Sequence, residues 1–223
     1  MFQVAIDGPG GAGKSTISKA AAKALGFVYI DTGAMYRAAA LFCLRKGIDI
    51  KNEPDLAAKA VDTIDIDIDY KEDGQHIFLN GEDVSSLIRT PEVSMGASNV
   101  SAIPAVRVKL VELQRNLAST KNVIMDGRDI GTSVLPNAPL KIFLTASAET
   151  RAKRRFDELV AKGETCTYEE VLNDMCLRDK NDSTRAVSPL KPAEGSVMLD
   201  TSNLSFEESL DAVLKLVKDR YQH

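Results

Sequence analysis

Eight residues near the start of the chain, Gly8-Pro9-Gly10-Gly11-Ala12-Gly13-Lys14-Ser15, carry its clearest chemistry. Their spacing is G-x-x-x-x-G-K-[ST], in which glycines let backbone N–H groups turn inward around phosphate oxygens. The lysine of such a loop reaches the β and γ phosphates of a nucleoside triphosphate, and the serine hydroxyl ligates Mg²⁺. A glycine-rich turn ahead of any helix matches the same string by chance, so context decides. Here the string follows a β-rich run, Phe2 to Asp7, and opens a helical pattern, Ser15 to Leu25, whose N-terminus favours an anion through its dipole. The reading is a phosphate loop for ATP.

The loop names a donor and leaves the acceptor open, because many unrelated activities share it. Asp31-Thr32-Gly33-Ala34-Met35-Tyr36-Arg37 follows a second β-rich run, so Arg37 falls early in a helix at the carboxyl edge of a sheet, where ligands bind in such folds. A phosphate suits Arg37, and a surface arginine on an amphipathic helix is the plainer account. Val123-Ile124-Met125-Asp126 is an apolar strand ending in a carboxylate, which places Asp126 near Mg²⁺ or its waters, or else makes it the cap of the next turn. Arg128 and Asp129 follow on the same loop, suited to a phosphate and a base edge, with an ordinary Arg-Asp surface pair as the competing account.

Arg151, Arg154 and Arg155 share one helical pattern, and Arg178, Asp182 and Arg185 lie on or just after the next. Arginines suit a transferring phosphoryl group, since they stay ionised and present a planar fork of donors. Against that, Arg178 and Asp182 stand at i,i+4, the spacing of solvated helix pairs worth only ~0.2–0.5 kcal/mol.

These residues must be held by something, and the periodicities say what. Five short β-rich runs, Phe2 to Asp7, Phe27 to Asp31, Asn122 to Asp126, Leu140 to Thr145 and Ser196 to Asp200, alternate with longer helical patterns. Gly26 and Gly47 follow helical stretches, Pro54 and Pro104 sit where helices start, and Thr167 with Glu170 and Ser205 with Glu208 have capping-box spacing. Strand and helix in alternation predict an α/β fold with a five-stranded parallel sheet covered by helices on both faces. The rhythm breaks where Ile64, Ile66 and Ile68 alternate with Asp65, Asp67 and Asp69, followed by Ile77-Phe78-Leu79 and the turn pair Asn80-Gly81. A small antiparallel sheet is expected there, within an inserted subdomain at 63–102.

The composition narrows the rest. With 223 residues, 44% hydrophobic and 27% charged, the chain has enough material for a sizeable core and neither a disordered nor a membrane composition. A net charge of −4 argues against a surface for a nucleic-acid polymer while allowing a local basic cleft. The start, Met1-Phe2-Gln3-Val4-Ala5-Ile6-Asp7, has neither a basic segment nor a long apolar one, and no apolar run nears the ~20 residues of a span, so a cytoplasmic protein is expected. Cys43, Cys166 and Cys176 lack metal-ligand spacing and read as reduced thiols, and His76 and His223 read as bystanders.

Taken together, the strings Gly8 to Thr16, Asp31 to Arg37, Asn80 to Val84, Ile88 to Val93, Asp126 to Thr132, and Arg178 through Arg185 to Leu190 resemble the bacterial-type cytidylate kinases, a nucleoside monophosphate kinase family of P-loop proteins. The similarity covers essentially the whole chain, with no departure at these positions. It implies transfer of the γ-phosphoryl group of ATP to CMP or dCMP, with Mg²⁺, by a monomer carrying a nucleotide-binding insert at 63–102 and a lid at 155–188. By the same resemblance, the positions of Ser98, Arg107 and Asp129 read the cytosine, those of Arg178 and Asp182 hold the sugar, and those of Arg37, Arg128 and Arg185 engage phosphates. Lys14, Arg128 and Arg185 would carry the catalytic charge, Arg154 would join Gly8 to Thr16 in holding ATP, and Ser15 and Asp126 would face the metal. Nothing in the patterning around Ser98 and Arg107 would have selected them.

Overall fold

The computed structural model describes residues 1–71 and 74–221, so His223, read above as a bystander, lies outside the described residues. The chain folds as two compact units, Met1–Tyr29 with Lys121–His223, and Ile30–Thr120.

The first unit is built on a sheet of strand order β2-β6-β1-β7-β8, comprising β1 (Gln3–Asp7), β2 (Val28–Asp31), of which Val28 and Tyr29 fall in this unit, β6 (Val123–Gly127), β7 (Leu140–Thr145) and β8 (Val197–Asp200). β1 runs parallel to both β6 and β7, and β7 parallel to β8. These are the five apolar runs of the sequence, with ends shifted by a residue or so. Their side chains explain the arrangement: Val4, Ile6, Ile124, Leu140, Ile142 and Leu144 are buried in one cluster with Ala21 and Ala22 of α1 (Lys14–Leu25) and Val213 and Val217 of α8 (Phe206–Tyr221). Strands buried on both faces read as continuous apolar runs, which is why the central β1, β6 and β7 stand out in the sequence as short unbroken stretches, whereas the edge strand β8 leaves Met198 exposed. α1 ends at Gly26, whose φ of 68° is the left-handed conformation that lets its N–H close back on the last carbonyls.

α6 (Ala148–Ala161) and α7 (Tyr168–Thr184) pair through a second apolar cluster of Ala152, Leu159, Val171 and Met175. The capping box at the start of α7 is complete, with Thr167 and Glu170 exchanging hydrogen bonds. Ser205 and Glu208 make the same exchange at the start of α8.

The second unit holds α2 (Thr32–Arg45), α3 (Pro54–Asp62), a three-stranded antiparallel sheet of β3 (Ile66–Lys71), β4 (Gly74–Leu79) and β5 (Glu82–Asp83), then α4 (Pro91–Ser101) and α5 (Pro104–Ala118). In β3 the isoleucines are buried and the aspartates exposed, so the expected alternation sorts the strand by face. Pro54 and Pro104 open their helices as the spacing required. The stretch 63–102 lies within this unit.

Candidate active site

The parallel register decides what surrounds the glycine loop. Ile6 is paired with Asp126 and Asp7 with Gly127, so the chain leaves β1 and β6 side by side at the carboxyl edge of the sheet. β7 closes the other side, and Gly8 lies against its Leu144 carbonyl so tightly that a Cβ would overlap the oxygen. With φ of 149° as well, position 8 admits only glycine. Gly13, in the left-handed conformation, caps α1 without any side-chain acceptor, leaving the helix amides facing the loop interior.

Lys14 is buried, and its ammonium donates to the Pro9 carbonyl at 2.7 Å. Burial holds its pKa well below the usual lysine value, and the positive charges of Arg128 and Arg178 push it down further, against the pull of Asp126 and Asp7. Both arginines lie over the loop: a Cβ on Gly10 would sit 3.4 Å from Arg128 Nη2 and 3.8 Å from Arg178 Cδ. Three cations thus converge on one loop, offset only in part by Asp126 and Asp7 at Lys14 and by Asp182 at Arg128, an arrangement suited to a polyphosphate.

Asp126 is buried at the end of β6, where its Oδ2 accepts from the Ser15 hydroxyl at 2.9 Å and its Oδ1 from the Tyr29 hydroxyl at 2.8 Å. A serine hydroxyl that donates to a carboxylate keeps its lone pairs for a cation. Hard oxygens of this kind suit Mg²⁺, which takes one or two protein ligands and keeps waters and substrate phosphates for the rest. Among the described residues no group of three or more His, Cys, Asp or Glu forms a self-sufficient metal cage, a pattern Mg²⁺ does not need.

The charged residues after β6 do not form the plain pairs that sequence spacing allowed. Asp182 is buried on α7 and accepts from Arg128 Nε at 2.8 Å, so its partner is on another element and not the Arg178 one turn away. Asp129, also buried, faces Arg185 Nη2 at 3.7 Å, while Arg185 Nε donates to the Ser188 carbonyl. The first unit therefore brings Lys14, Ser15, Asp126, Arg128, Asp129, Arg178, Asp182 and Arg185 into one charged region. Arg154 is on α6 and donates to the Thr201 carbonyl at 2.7 Å, beside the turn that follows β8. Thr16 is exposed on the first turn of α1.

In the second unit, Arg37 of α2 is paired with Asp31 at 3.0 Å, and Arg89 reaches the same oxygen at 3.4 Å. Asp31 also caps α2 by accepting from Ala34 N–H, so one carboxylate positions both guanidinium groups. Arg107 is buried on α5 with its guanidinium 5.8 Å from the centre of the Tyr36 ring. Ser98 is half-buried on α4, its carbonyl accepting from Ser101.

Two participants were missed by sequence reasoning. Asp7 is buried at the end of β1 and accepts from the amides of Ile130 at 2.7 Å and Gly131 at 2.8 Å, opening a π-helical turn at Ile130–Val134. Burial raises its pKa to about 6, although the two amides pull the other way. The available signal was a carboxylate directly before a glycine loop. Arg151 is buried and ties Gly10 O at 2.9 Å and Ala146 O at 2.9 Å to the Asp179 carboxylate at 2.6 Å. It braces the loop from behind, a role that its helical spacing beside Arg154 and Arg155 did not reveal.

Comparison with known proteins gives one answer by sequence. The family model described as cytidylate kinase matches residues 4–219. A cytidylate kinase of Caldicellulosiruptor saccharolyticus is 54% identical over 215 residues, covering 96% of this chain and 95% of the relative. One from Desulfitobacterium hafniense is 51% identical, covering 99% and 94%. By structure, an uncharacterized protein from Eubacterium ventriosum superposes with a TM-score of 0.56 at 12% identity, covering 99% of this chain and 100% of that one, which is a likeness of fold.

Proposed function

Since the chain belongs to the cytidylate kinase family, we infer that it transfers the γ-phosphoryl group of ATP to CMP, giving ADP and CDP, and that dCMP is accepted in the same way. The observation that carries this reading is the burial of Lys14 beneath the glycine loop with Arg128 and Arg178 close by, a cation density that suits the phosphates of ATP. Such transfer passes through a loose transition state and needs in-line positioning and cations more than covalent help. The acceptor oxygen belongs to a phosphate already largely ionised near neutral pH, so no general base is required and no phosphoenzyme forms.

We assign the roles as follows. Gly8 to Thr16, with Arg154, hold ATP, and Lys14, Arg128 and Arg185 stabilise charge on the moving phosphoryl group. Arg37, Arg128 and Arg185 engage the phosphates of the acceptor, Arg178 and Asp182 its sugar, and Ser98, Arg107 and Asp129 its base. Ser15 and Asp126 would hold Mg²⁺, which when bound neutralises charge on the β and γ phosphates. Residues 63–102 form the nucleotide-binding insert and 155–188 the lid, whose covering of the reactants would limit ATP hydrolysis. We take the protein to act as a cytoplasmic monomer, and no described helix is long and apolar enough to cross a membrane.

A coupled assay of ADP release with CMP, dCMP, UMP, AMP and no acceptor tests the reading. CMP should give the highest kcat/KM, and Lys14→Ala, folded by circular dichroism, should lose at least ~100-fold, the scale of removing one charge-stabilising donor. ADP release that is the same with and without acceptors would overturn it in favour of an ATPase.

A further inference from the structure

We propose that Tyr29 is a positioning residue for the metal-facing pair Ser15 and Asp126, a role resting on the assignment of that pair to Mg²⁺. The two oxygens of Asp126 are each held by a hydroxyl: Ser15 Oγ donates to Oδ2 at 2.9 Å, and Tyr29 OH donates to Oδ1 at 2.8 Å. A carboxylate on a short side chain turns readily about its last torsion, so one donor alone leaves its plane loosely defined. The second donor fixes that plane.

The chain of dependence then runs outward. With Oδ1 pinned by Tyr29, Oδ2 faces Ser15, the Ser15 proton is committed to Oδ2, and its lone pairs point away from Asp126 and stay open to a cation. Tyr29 is well placed for this because its ring is already fixed. It is half-buried and packs against the apolar cluster of the first unit, so its hydroxyl is held in place at little further cost in side-chain freedom. Its β2 is hydrogen-bonded to the β6 that carries Asp126. Partners of ligating groups commonly change metal affinity about 10–100-fold when removed. Asp126 keeps its Ser15 donor when the Tyr29 hydroxyl is gone, so an effect at or just below the lower end of that range, ~3–10-fold, follows.

The test removes only the hydroxyl. Mn²⁺, as an electron-paramagnetic stand-in for Mg²⁺, is titrated into the wild type, Tyr29→Phe and Asp126→Asn, each with a non-hydrolysable ATP analogue, and free Mn²⁺ is read from its spectrum. Tyr29→Phe should bind Mn²⁺ ~3–10-fold more weakly, with an unchanged Tm, an unchanged KM for CMP and a kcat restored by excess Mg²⁺. If Tyr29→Phe binds Mn²⁺ like the wild type while Asp126→Asn is weakened, the positioning role fails and the metal assignment stands. If Asp126→Asn also binds like the wild type, the metal assignment fails and takes this proposal with it. A Tyr29→Phe protein that loses Tm and raises the KM for CMP in parallel would show a merely structural hydroxyl, which also overturns the proposal.

Discussion

At the scale of single residues, the role proposed for Asp129 in reading the base makes a prediction about selectivity. Cytosine offers an amino donor at N4 where uracil offers the O4 acceptor. A carboxylate facing that edge accepts from cytosine and is repelled by uracil, so it rejects UMP without binding CMP more tightly than needed. Asp129→Ala should therefore bring the kcat/KM ratio of CMP to UMP down by at least ~10-fold, in keeping with the cost of an unpaired polar contact. An unchanged ratio would remove Asp129 from base reading. Asp7 makes a different kind of prediction. With a folded pKa of about 6 against an ordinary 3.8, the native state holds the proton more tightly than the unfolded chain. This single group thus favours the fold fully below pH 3.8, and that contribution is lost as pH rises to 6 and beyond. The Asp7 carboxyl should titrate near pH 6 by ¹³C NMR, and titration near 4 would contradict its burial.

At the scale of elements, two ion pairs fasten α7 to its neighbours, Arg151–Asp179 from α6 and Arg128–Asp182 from the loop after β6. They are not equivalent. Arg128 and Asp182 belong to the proposed substrate contacts, whereas Arg151 spends its donors on two carbonyls and Asp179. Arg151 is buried but Asp179 is partly exposed, so removing the guanidinium leaves mainly the Gly10 and Ala146 carbonyls without their donor, at a cost of about 1–3 kcal/mol. Arg151→Ala should unfold at clearly lower denaturant, and Arg151→Met, which keeps the stem without the charge, should lose less when paired with Asp179→Leu. A stability unchanged in Arg151→Ala would mean that the brace contributes nothing.

On the scale of the whole molecule, a net charge of −4 argues against a surface for a nucleic-acid polymer. The cations that count are gathered at the glycine loop, Arg128, Arg178 and Arg185, and at Arg37 and Arg89 around Asp31, while exposed aspartates line β3. Local clusters of this kind bind small polyanions, whereas polymer binding needs a surface that neutralises many phosphates at once. Mobility-shift titration with single- and double-stranded DNA at about 150 mM salt, the physiological range in which screening is already strong, should show no complex at micromolar protein. A retarded band would mean a basic track that the composition conceals.

The sequence by itself determined the α/β class, the five parallel strands, the small antiparallel sheet and the glycine loop, because each rests on short-range spacing: a period of two, a period near 3.6, or a fixed string of turn residues. It also carried the family, since whole-chain resemblance does not depend on knowing any contact. Tertiary structure alone decided which charges meet. Asp182 pairs with Arg128 across 54 residues and not with Arg178 one turn away, and Ser15 meets Asp126 across 111. Asp7 clamps two amides more than 120 residues on, and Arg151 reaches back to Gly10. Such pairings depend on strand register, which brings β1 and β6 side by side with Asp7 opposite Gly127. Local propensity carries no trace of register between strands so far apart, so these partners became visible only once the sheet was assembled.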